Sequence, residues 1–165
     1  MFKVGDLVIY STHGICQIDE VGEKTYYGVT KNYYVLHPLE GNKLTISNPV
    51  DNDKVVMLGI IGSDEAKEIV ESFKLPGKEW IEKSMNRIQV YSEIINTGNR
   101  KEISKIVNIL MRKKHEAEIN GKKLTYQDQK LLTSVQNIMF NELAISLNTT
   151  FEAIYKEICS LMKLK

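Results

Sequence analysis

Two short patterns contain side chains that could take part in chemistry. His13 and Cys16 lie three residues apart in "HGIC", a spacing that suits two metal ligands or a cysteine nucleophile with its base. No further ligand or base lies nearby in sequence, so a turn followed by a packed strand is favoured. The second pattern, "PGKEWIEKSMNRIQ", places the single tryptophan, Trp80, near two cations, Lys83 and Arg87. An aromatic ring beside cations is typical of nucleic-acid contacts.

Other catalytic patterns are missing from the sequence. It contains no GxxxxGK[ST] phosphate-binding loop, and we expect no enzyme activity, no cofactor, no metal and no small-molecule substrate. The cysteines Cys16 and Cys159 lie far apart without a CxxC spacing, which predicts free thiols. No apolar run approaches the ~18 residues of a membrane span and no leader opens the chain, so a cytoplasmic location without membrane contact is expected.

The formal net charge of +1 is unevenly distributed along the chain. Residues 1–75 carry seven Lys/Arg and eleven Asp/Glu (7 − 11 = −4), whereas residues 76–165 carry fifteen and ten (15 − 10 = +5). Such a split suggests two halves with different partners. The basic half is the one that could meet phosphates.

The first half, residues 1–60, has the pattern of a small β domain. Short runs rich in Val, Ile, Tyr and Leu alternate with turn clusters. The predicted strands are "DLVIY", "ICQIDEV", "NYYVLHPL", "KLTIS" and "KVVML", and the predicted turns are "STHG", "GEKTYYGVT", "LEGN" and "NPVDND". A small SH3-like or Tudor-like barrel is the expected fold. Its tyrosines Tyr26, Tyr27, Tyr33 and Tyr34 favour core and edge packing over an aromatic cage for a methylated ligand.

The second half, residues 61–165, changes to a helical period. Predicted helices cover "SDEAKEIVESF" with Ser63 as N-cap, Lys78 to Asn96, a segment from Asn99 with Glu102 in a capping box, Thr125 to Leu147, and a last helix from Phe151. "LPG" at 75–77 predicts a linker-type break. The fold class is therefore α+β, with a β-barrel followed by an all-helical bundle.

On a helix from Lys78, Trp80, Lys83 and Arg87 share one flank, because successive residues turn by about 100°. Ile81, Met85, Ile88 and Ile95 then face the core. The flank predicts contact with phosphates and a base step. The alternative is that Trp80 packs structurally on the linker or the barrel.

Further cations extend this predicted DNA-contacting surface. Arg112, Lys113 and Lys114 lie in "RKKHEAE" at a helix end, Lys122 and Lys123 lie in the next loop, and Lys130 follows in the fourth helix. From the residues alone, a solvated helix end and loop without any ligand is favoured for these charges, and contact with the DNA backbone is the alternative.

The opening "MFKVGDLVIYSTHGICQIDEV" resembles the amino terminus of the CarD (CdnL) family of bacterial transcription regulators, through Phe2, Gly5, Asp6, Val8, Tyr10, His13, Gly14 and Ile18. "LTISNPVDN" resembles the family's Pro-Val-Asp-Asn turn, and "INTGNRKEISKIVNILMRKK" and "GKKLTYQDQKLLTSVQNIMFNELAISLN" resemble its helices. The resemblance covers nearly the whole chain.

This resemblance implies an adaptor with two contacts. The amino-terminal domain, which the transcription-repair coupling factor shares, would bind the RNA polymerase β subunit by pairing strand edges. The residues at the family's binding positions are Lys24, Tyr34, Thr45, Ile46, Ser47 and Pro49.

The helical domain would press a tryptophan into the minor groove of promoter DNA at the upstream edge of the melted bubble, and so prolong the open complex. Trp80 is the candidate, although the family's tryptophan lies about four residues, close to one helical turn, nearer the Ser-Gly-Asp turn, where this chain has Ser84. A protein–protein adaptor that binds polymerase without productive DNA contact is the alternative, and buried packing of Trp80 would favour it.

Overall fold

The computed structural model describes residues 1–10, 13–40 and 43–164, and the chain divides into two compact units, Met1–Ile60 and Ile61–Lys165. Ser11, Thr12, Gly41 and Asn42 lie outside the described residues, and so the predicted turns "STHG" and "LEGN" are only partly described. Within the described part, an antiparallel sheet precedes the helices, which confirms the predicted α+β class.

The first unit is a five-stranded antiparallel sheet in the described residues. Its strands are β1 (Leu7–Tyr10), β2 (Gly14–Tyr26), β3 (Val29–Pro38), β4 (Ile46–Pro49) and β5 (Met57–Gly59). The spatial order β4-β3-β2-β1-β5 leaves β4 and β5 as the edge strands. This layout is consistent with the predicted Tudor-like domain.

A β-bulge in β2 sets which side chains reach the core of the first unit. Cys16 and Ile18 alternate into the core, and strict alternation would bring Glu20 in next. The register shifts between Ile18 and Glu20, so that Val21 pairs with the buried Tyr34 and packs against the core instead. The extra residue therefore keeps a carboxylate out of the apolar cluster.

Two expectations about the sheet were wrong. "GEKTYYGVT" is not a loop: β2 continues to Tyr26, β3 begins at Val29, and only Tyr27 and Gly28 form the turn. These strand ends could not be recognised from sequence, because both faces of the outer β2–β3 hairpin are exposed to solvent and its residues are mostly polar. Thr45, predicted within a strand, precedes the first residue of β4.

The second unit is built from helices around one apolar core. They are α1 (Ser63–Ser72), α2 (Ser84–Asn96), α3 (Arg100–Ile119), α4 (Tyr126–Ser146) and α5 (Phe151–Met162). The side chains of Asn99, Thr125 and Thr150 cap α3, α4 and α5 by accepting the backbone N–H three residues on. Gly62, not Ser63, is the N-cap of α1. The predicted capping box is half formed, because the Glu102 carboxylate accepts from Lys78 and Lys105 instead.

The second predicted helix begins six residues later than expected, at Ser84 rather than Lys78. Its buried positions are Arg87 and Tyr91, whereas Met85, predicted to face the core, is 81% exposed. The common flank proposed for Trp80, Lys83 and Arg87 is therefore wrong, since Trp80 and Lys83 precede the helix.

The Leu75–Gly77 break lies inside the second unit and is held against α3. The side-chain amide of Asn108 donates to the Leu75 carbonyl at 2.9 Å, and the Lys78 amide donates to the Lys105 carbonyl at 2.9 Å. A Cβ on Gly77 would lie 2.6 Å from the Lys105 carbonyl oxygen. Gly77 is needed here because the two backbones touch.

Gly77→Ala should destabilise the second unit by about 1–3 kcal/mol, because the methyl group meets backbone atoms of α3 that cannot rotate away. Urea unfolding of the two proteins measures the difference. Gly22→Ala is the matched control, because its Cβ would meet only the tip of Glu20 at 3.9 Å. Equal losses for both variants would contradict the close-approach argument.

Alkaline pH should weaken the first unit through Cys16. Burial raises the pKa of this thiol from 9.0 to about 11, so the folded state retains a proton that the unfolded chain gives up. The stabilisation is complete below about pH 9 and is lost as pH rises towards 11, a change of about 2–3 kcal/mol. Unfolding midpoints from pH 8 to 11 should fall less steeply for Cys16→Ala than for the wild type. Parallel curves would show that Cys16 is not the group responsible.

Candidate functional site

Trp80 lies in an irregular segment, residues 78–83, that we call the Trp80 segment. The Trp80 side chain is partly buried against the core of the second unit. The Arg87 guanidinium lies 4.0 Å from the centre of its ring, and the Lys113 ammonium lies 5.3 Å from it. Both distances are in the range of cation–π attraction. Trp80 is thus held by cations and is neither fully buried nor free.

Arg87 forms the strongest polar contact of this region with Asp128 of α4. Its Nε and Nη2 donate to the two carboxylate oxygens of Asp128 at 3.0 and 2.5 Å, and both side chains are almost fully buried. Its Nη1 donates to the carbonyls of Ile81 and Glu82 at 2.7 and 3.2 Å. The guanidinium therefore binds a carboxylate, two backbone carbonyls and an aromatic face at once.

These contacts explain why the helix begins late. In a helix from Lys78, the Ile81 and Glu82 carbonyls would accept from backbone N–H groups one turn on. Here Arg87 supplies those hydrogen bonds, and the Tyr91 hydroxyl donates to the Glu79 carbonyl at 2.7 Å. Burial raises the pKa of this hydroxyl, which keeps it a donor. The Trp80 segment is thus fixed by side chains of α2.

The start of the Trp80 segment is bound to α3. Lys78 donates to Glu102 at 2.8 Å, and Lys105 donates to the same carboxylate at 3.2 Å. The hydrogen bonds from Lys78 and then Lys105 lower the pKa of Glu102 below 4.5, and their charges act in the same direction. Because these groups are partly exposed, the contact orients the segment more than it stabilises the fold.

Two of the predicted DNA-binding arginines have structural contacts instead. Arg87 is 3% exposed, and each of its three side-chain nitrogens donates to a group within the chain, so in this conformation it is not placed to meet a phosphate. Arg112 donates to Asn108 at 2.7 Å and to the carbonyls of Phe73 and Leu75 at 2.9 and 3.3 Å. Arg87 thus binds the backbone that precedes α2, and Arg112 of α3 binds the backbone that follows α1.

The remaining predicted cations are lysines with accessible side chains. Lys113 is partly exposed, lies beside Trp80 and is 3.6 Å from Glu116. The exposed ones are Lys83, Lys114, Lys122, Lys123 and Lys130. Lys122 and Lys123 lie in the loop that ends at Thr125, whose hydroxyl donates to Asp128 at 2.8 Å. The end of this loop is therefore linked to the Trp80 segment indirectly, through Asp128 and Arg87.

The predicted polymerase-binding residues lie in three places: at or beside the edge strand β4, on β2, and in the core of the first unit. Ile46, Ser47 and Pro49 belong to the edge strand β4, and Thr45 precedes it. Lys24 lies on β2, 3.3 Å from Glu20. Tyr34 is 5% exposed and its hydroxyl accepts from the Phe2 amide at 3.2 Å, so it packs in the core.

Sequence reasoning missed Asp128, which organises the Trp80 region. It is the only aspartate in residues 76–165, and Thr125 stands three residues before it, the spacing of a capping motif. That combination could have identified Asp128 as the start of α4. Its pairing with a residue 41 positions earlier leaves no local signal.

The described residues contain no group of three or more His, Cys, Asp or Glu arranged to hold a metal. Cys16 lies in the sheet core, in keeping with the packed strand favoured for "HGIC". Within the same described ranges, every helix is too short or too polar to cross a membrane.

Comparisons with known proteins match both units. Residues 2–60 match the model of the CarD-like/TRCF RID domain, and residues 68–159 match that of the CarD C-terminal domain. The chain is also similar to the Bacillus subtilis (strain 168) protein named "Putative transcription factor YdeB". The two are 24% identical over 151 residues, which make up 88% of this chain and 92% of that protein.

Removing the Asp128 charge should unfold the Trp80 region. Asp128→Asn leaves the Arg87 cation buried without a counterion, which should cost about 3–5 kcal/mol in the free energy of unfolding. The Trp80 fluorescence maximum should shift to longer wavelength as the ring loses its neighbours. Glu102→Gln, which removes a partly exposed pair, is the matched control and should change both readings much less. An unchanged Trp80 spectrum in Asp128→Asn would refute the positioning role.

Proposed function

The chain belongs to the CarD family of transcription regulators, and from that premise we propose that it binds the RNA polymerase β subunit and stabilises the promoter open complex without catalysing a reaction. The first unit would make the polymerase contact and the second would contact DNA at the upstream edge of the bubble. A cytoplasmic location follows from these partners. The observation that carries the proposal is the Trp80 ring, which is partly exposed and fixed among cations.

The edge strand β4 supports the polymerase contact. Among the described residues it pairs with β3 on one side only, so its other side would offer backbone groups to an added strand. Thr45, Ser47 and Pro49 flank or occupy this edge, and Lys24 would add a charged contact. Tyr34 would act indirectly, by packing beneath the sheet.

The Trp80 segment supports the DNA contact. Arg87 and Asp128 would present the Trp80 ring, while Lys113, Lys114, Lys122 and Lys123 would meet phosphates. Lys83 and Lys130 are further exposed candidates. This assignment transfers the phosphate contacts from arginines to lysines, because Arg87 and Arg112 are already bonded within the chain.

The energy required is within the reach of a single ring. A base–aromatic contact contributes roughly 1–3 kcal/mol, and about 1.4 kcal/mol changes an open-to-closed ratio tenfold. The net charge of +5 on residues 76–165 is too small for tight independent DNA binding. Binding to polymerase would raise the local concentration of the second unit at the fork.

A second candidate is an adaptor that binds polymerase without productive DNA contact. The packing of Trp80 against the core and the Arg87 guanidinium is the observation that favours it. In that case the cations around the ring would stabilise the fold alone.

Trp80→Ala should shorten the lifetime of open complexes formed with the cognate polymerase by about tenfold relative to the wild type. Polymerase affinity should be unchanged, because the first unit is untouched. The lifetimes are measured by competitor challenge, and binding is measured in parallel. Equal lifetimes for both proteins would remove Trp80 from the mechanism, and no effect of the wild type despite binding would favour the adaptor.

The same assay tests the lysines. Lys114→Ala should make the open-complex lifetime less dependent on salt concentration, because one phosphate contact is lost. Lys156 is an exposed lysine of α5, and Lys156→Ala should leave this salt dependence unchanged.

A further inference from the structure

The chain enters the second unit through a short segment, residues 60–62, between β5 and α1. Both backbone polar groups of Ile61 in this segment bind α4. Its amide donates to the Glu142 carboxylate at 3.1 Å, and its carbonyl accepts from the Ser146 hydroxyl at 2.8 Å. The Ile61 side chain also packs against the core of the second unit. Ile61 is therefore fixed to a helix whose contacting residues lie 81 and 85 positions later in the chain.

The Glu142 carboxylate is 2% exposed, and Arg100 supplies its counter-charge. Arg100 donates to its two oxygens, from Nε at 3.1 Å and from Nη2 at 2.8 Å. A buried ion pair is weak evidence for stability, because apolar residues of similar size often pack equally well. Glu142 has a use that an apolar side chain could not serve, since it also accepts the Ile61 amide. We call Glu142, Arg100 and Ser146 the Ile61 clamp.

The helix that carries the clamp also carries the partner of Arg87. Within the described residues, the buried carboxylates are Asp128 and Glu142, and both belong to α4. Each pairs with an arginine and fixes irregular backbone, Asp128 through Arg87 and Glu142 directly. They lie 14 residues apart (142 − 128 = 14), which is about 21 Å of helix. α4 thus sets the distance from the entry of the chain to the contact that positions Trp80.

From these contacts we propose that Glu142 and Ser146 are positioning residues of the regulator. By fixing Ile61 to α4, they restrict the movement of the Trp80 ring relative to the chain that enters the second unit. This inference rests on the function proposed above, in which polymerase binding raises the local concentration of the ring at the fork. That gain falls when the connection has more free residues, because each must be ordered as the ring meets DNA. β5 ends at Gly59, so Ile60 is the one residue between the sheet and the clamp.

Two variants release Ile61 by different means. Arg100→Met combined with Glu142→Leu removes the ion pair without leaving a buried charge unpaired. Open complexes formed with the cognate polymerase should then live about fivefold less long, the factor for ordering one more backbone residue. Ser146→Ala removes one hydrogen bond and should shorten the lifetime about twofold. In both variants the Ile61 amide should exchange its hydrogen faster, as measured by NMR on the free full-length protein.

Polymerase affinity and the Trp80 fluorescence maximum should stay unchanged, since neither variant alters the first unit or the Arg87–Asp128 pair. Ser146→Thr retains the hydroxyl and should behave as the wild type.

Matched controls remove comparable groups elsewhere in the second unit. Ser104→Ala deletes a hydroxyl that donates to the Lys101 carbonyl within α3. Lys101→Met combined with Glu68→Leu deletes an exposed ion pair and leaves the net charge unchanged, as the clamp variant does. Neither control should alter the exchange of the Ile61 amide or the open-complex lifetime.

The outcomes separate the clamp from the underlying function. An unchanged lifetime in variants that release Ile61 would overturn the positioning role and leave the proposed function intact. Equal exchange of the Ile61 amide in all proteins would show that the clamp does not restrain it. A wild type that binds polymerase without prolonging the open complex would refute both. A shorter lifetime with a shifted Trp80 spectrum or a lower polymerase affinity would also overturn the proposal, because unfolding or weaker recruitment would be the cause.

Discussion

The buried ion pair between Arg87 and Asp128 is the contact on which the geometry of the second unit's candidate site depends. A guanidinium removed from water needs a counter-charge and hydrogen-bond acceptors, because an unpaired buried charge is costly. The Asp128 carboxylate and the Ile81 and Glu82 carbonyls accept four hydrogen bonds from Arg87, with at least one from each of its nitrogens. The same contacts prevent the Trp80 segment from becoming helical, and so the position of the ring is a consequence of the need to satisfy one buried cation.

Much of the fold could be predicted from sequence because its signals are local. The strands of the first unit, the caps at Asn99 and Thr125, and the period of α3 and α4 each depend on residues within a few positions of one another. The outer part of the β2–β3 hairpin, residues 23–32, was not predicted, because neither of its faces is buried and the alternation that identifies a strand is absent. Its two-residue turn, Tyr27-Gly28, has positive φ at both positions, and tyrosine stands where asparagine is the preferred residue.

The candidate site was less predictable because its contacts are long-range. Helical periodicity placed Arg87 on an exposed flank, and nothing within one turn of it indicates burial. Its partner is 41 residues away, and a cation at a core position contradicts the usual binary pattern. The sequence correctly indicated that Trp80 and Arg87 lie close together, but the predicted geometry was wrong. The two side chains meet because the irregular backbone before α2 brings Trp80 to Arg87, and not because they share a helical flank. The four-residue offset from the family's position places Trp80 before α2, whose first residue is Ser84.

Fixing an aromatic ring in advance has a cost and a benefit that can be compared. A flexible tryptophan would lose rotamer freedom when it met DNA, whereas one held by Arg87 and Lys113 has lost much of that freedom on folding. The cost is therefore part of the stability of the second unit and not of the affinity for the promoter. If Trp80 acts at the fork as proposed, the contact would supply only about 1–2 kcal/mol, so avoiding an ordering penalty of similar size would decide whether it is effective. A ring at the edge of a packed core is suited to that task, because the core holds it and the solvent side remains accessible.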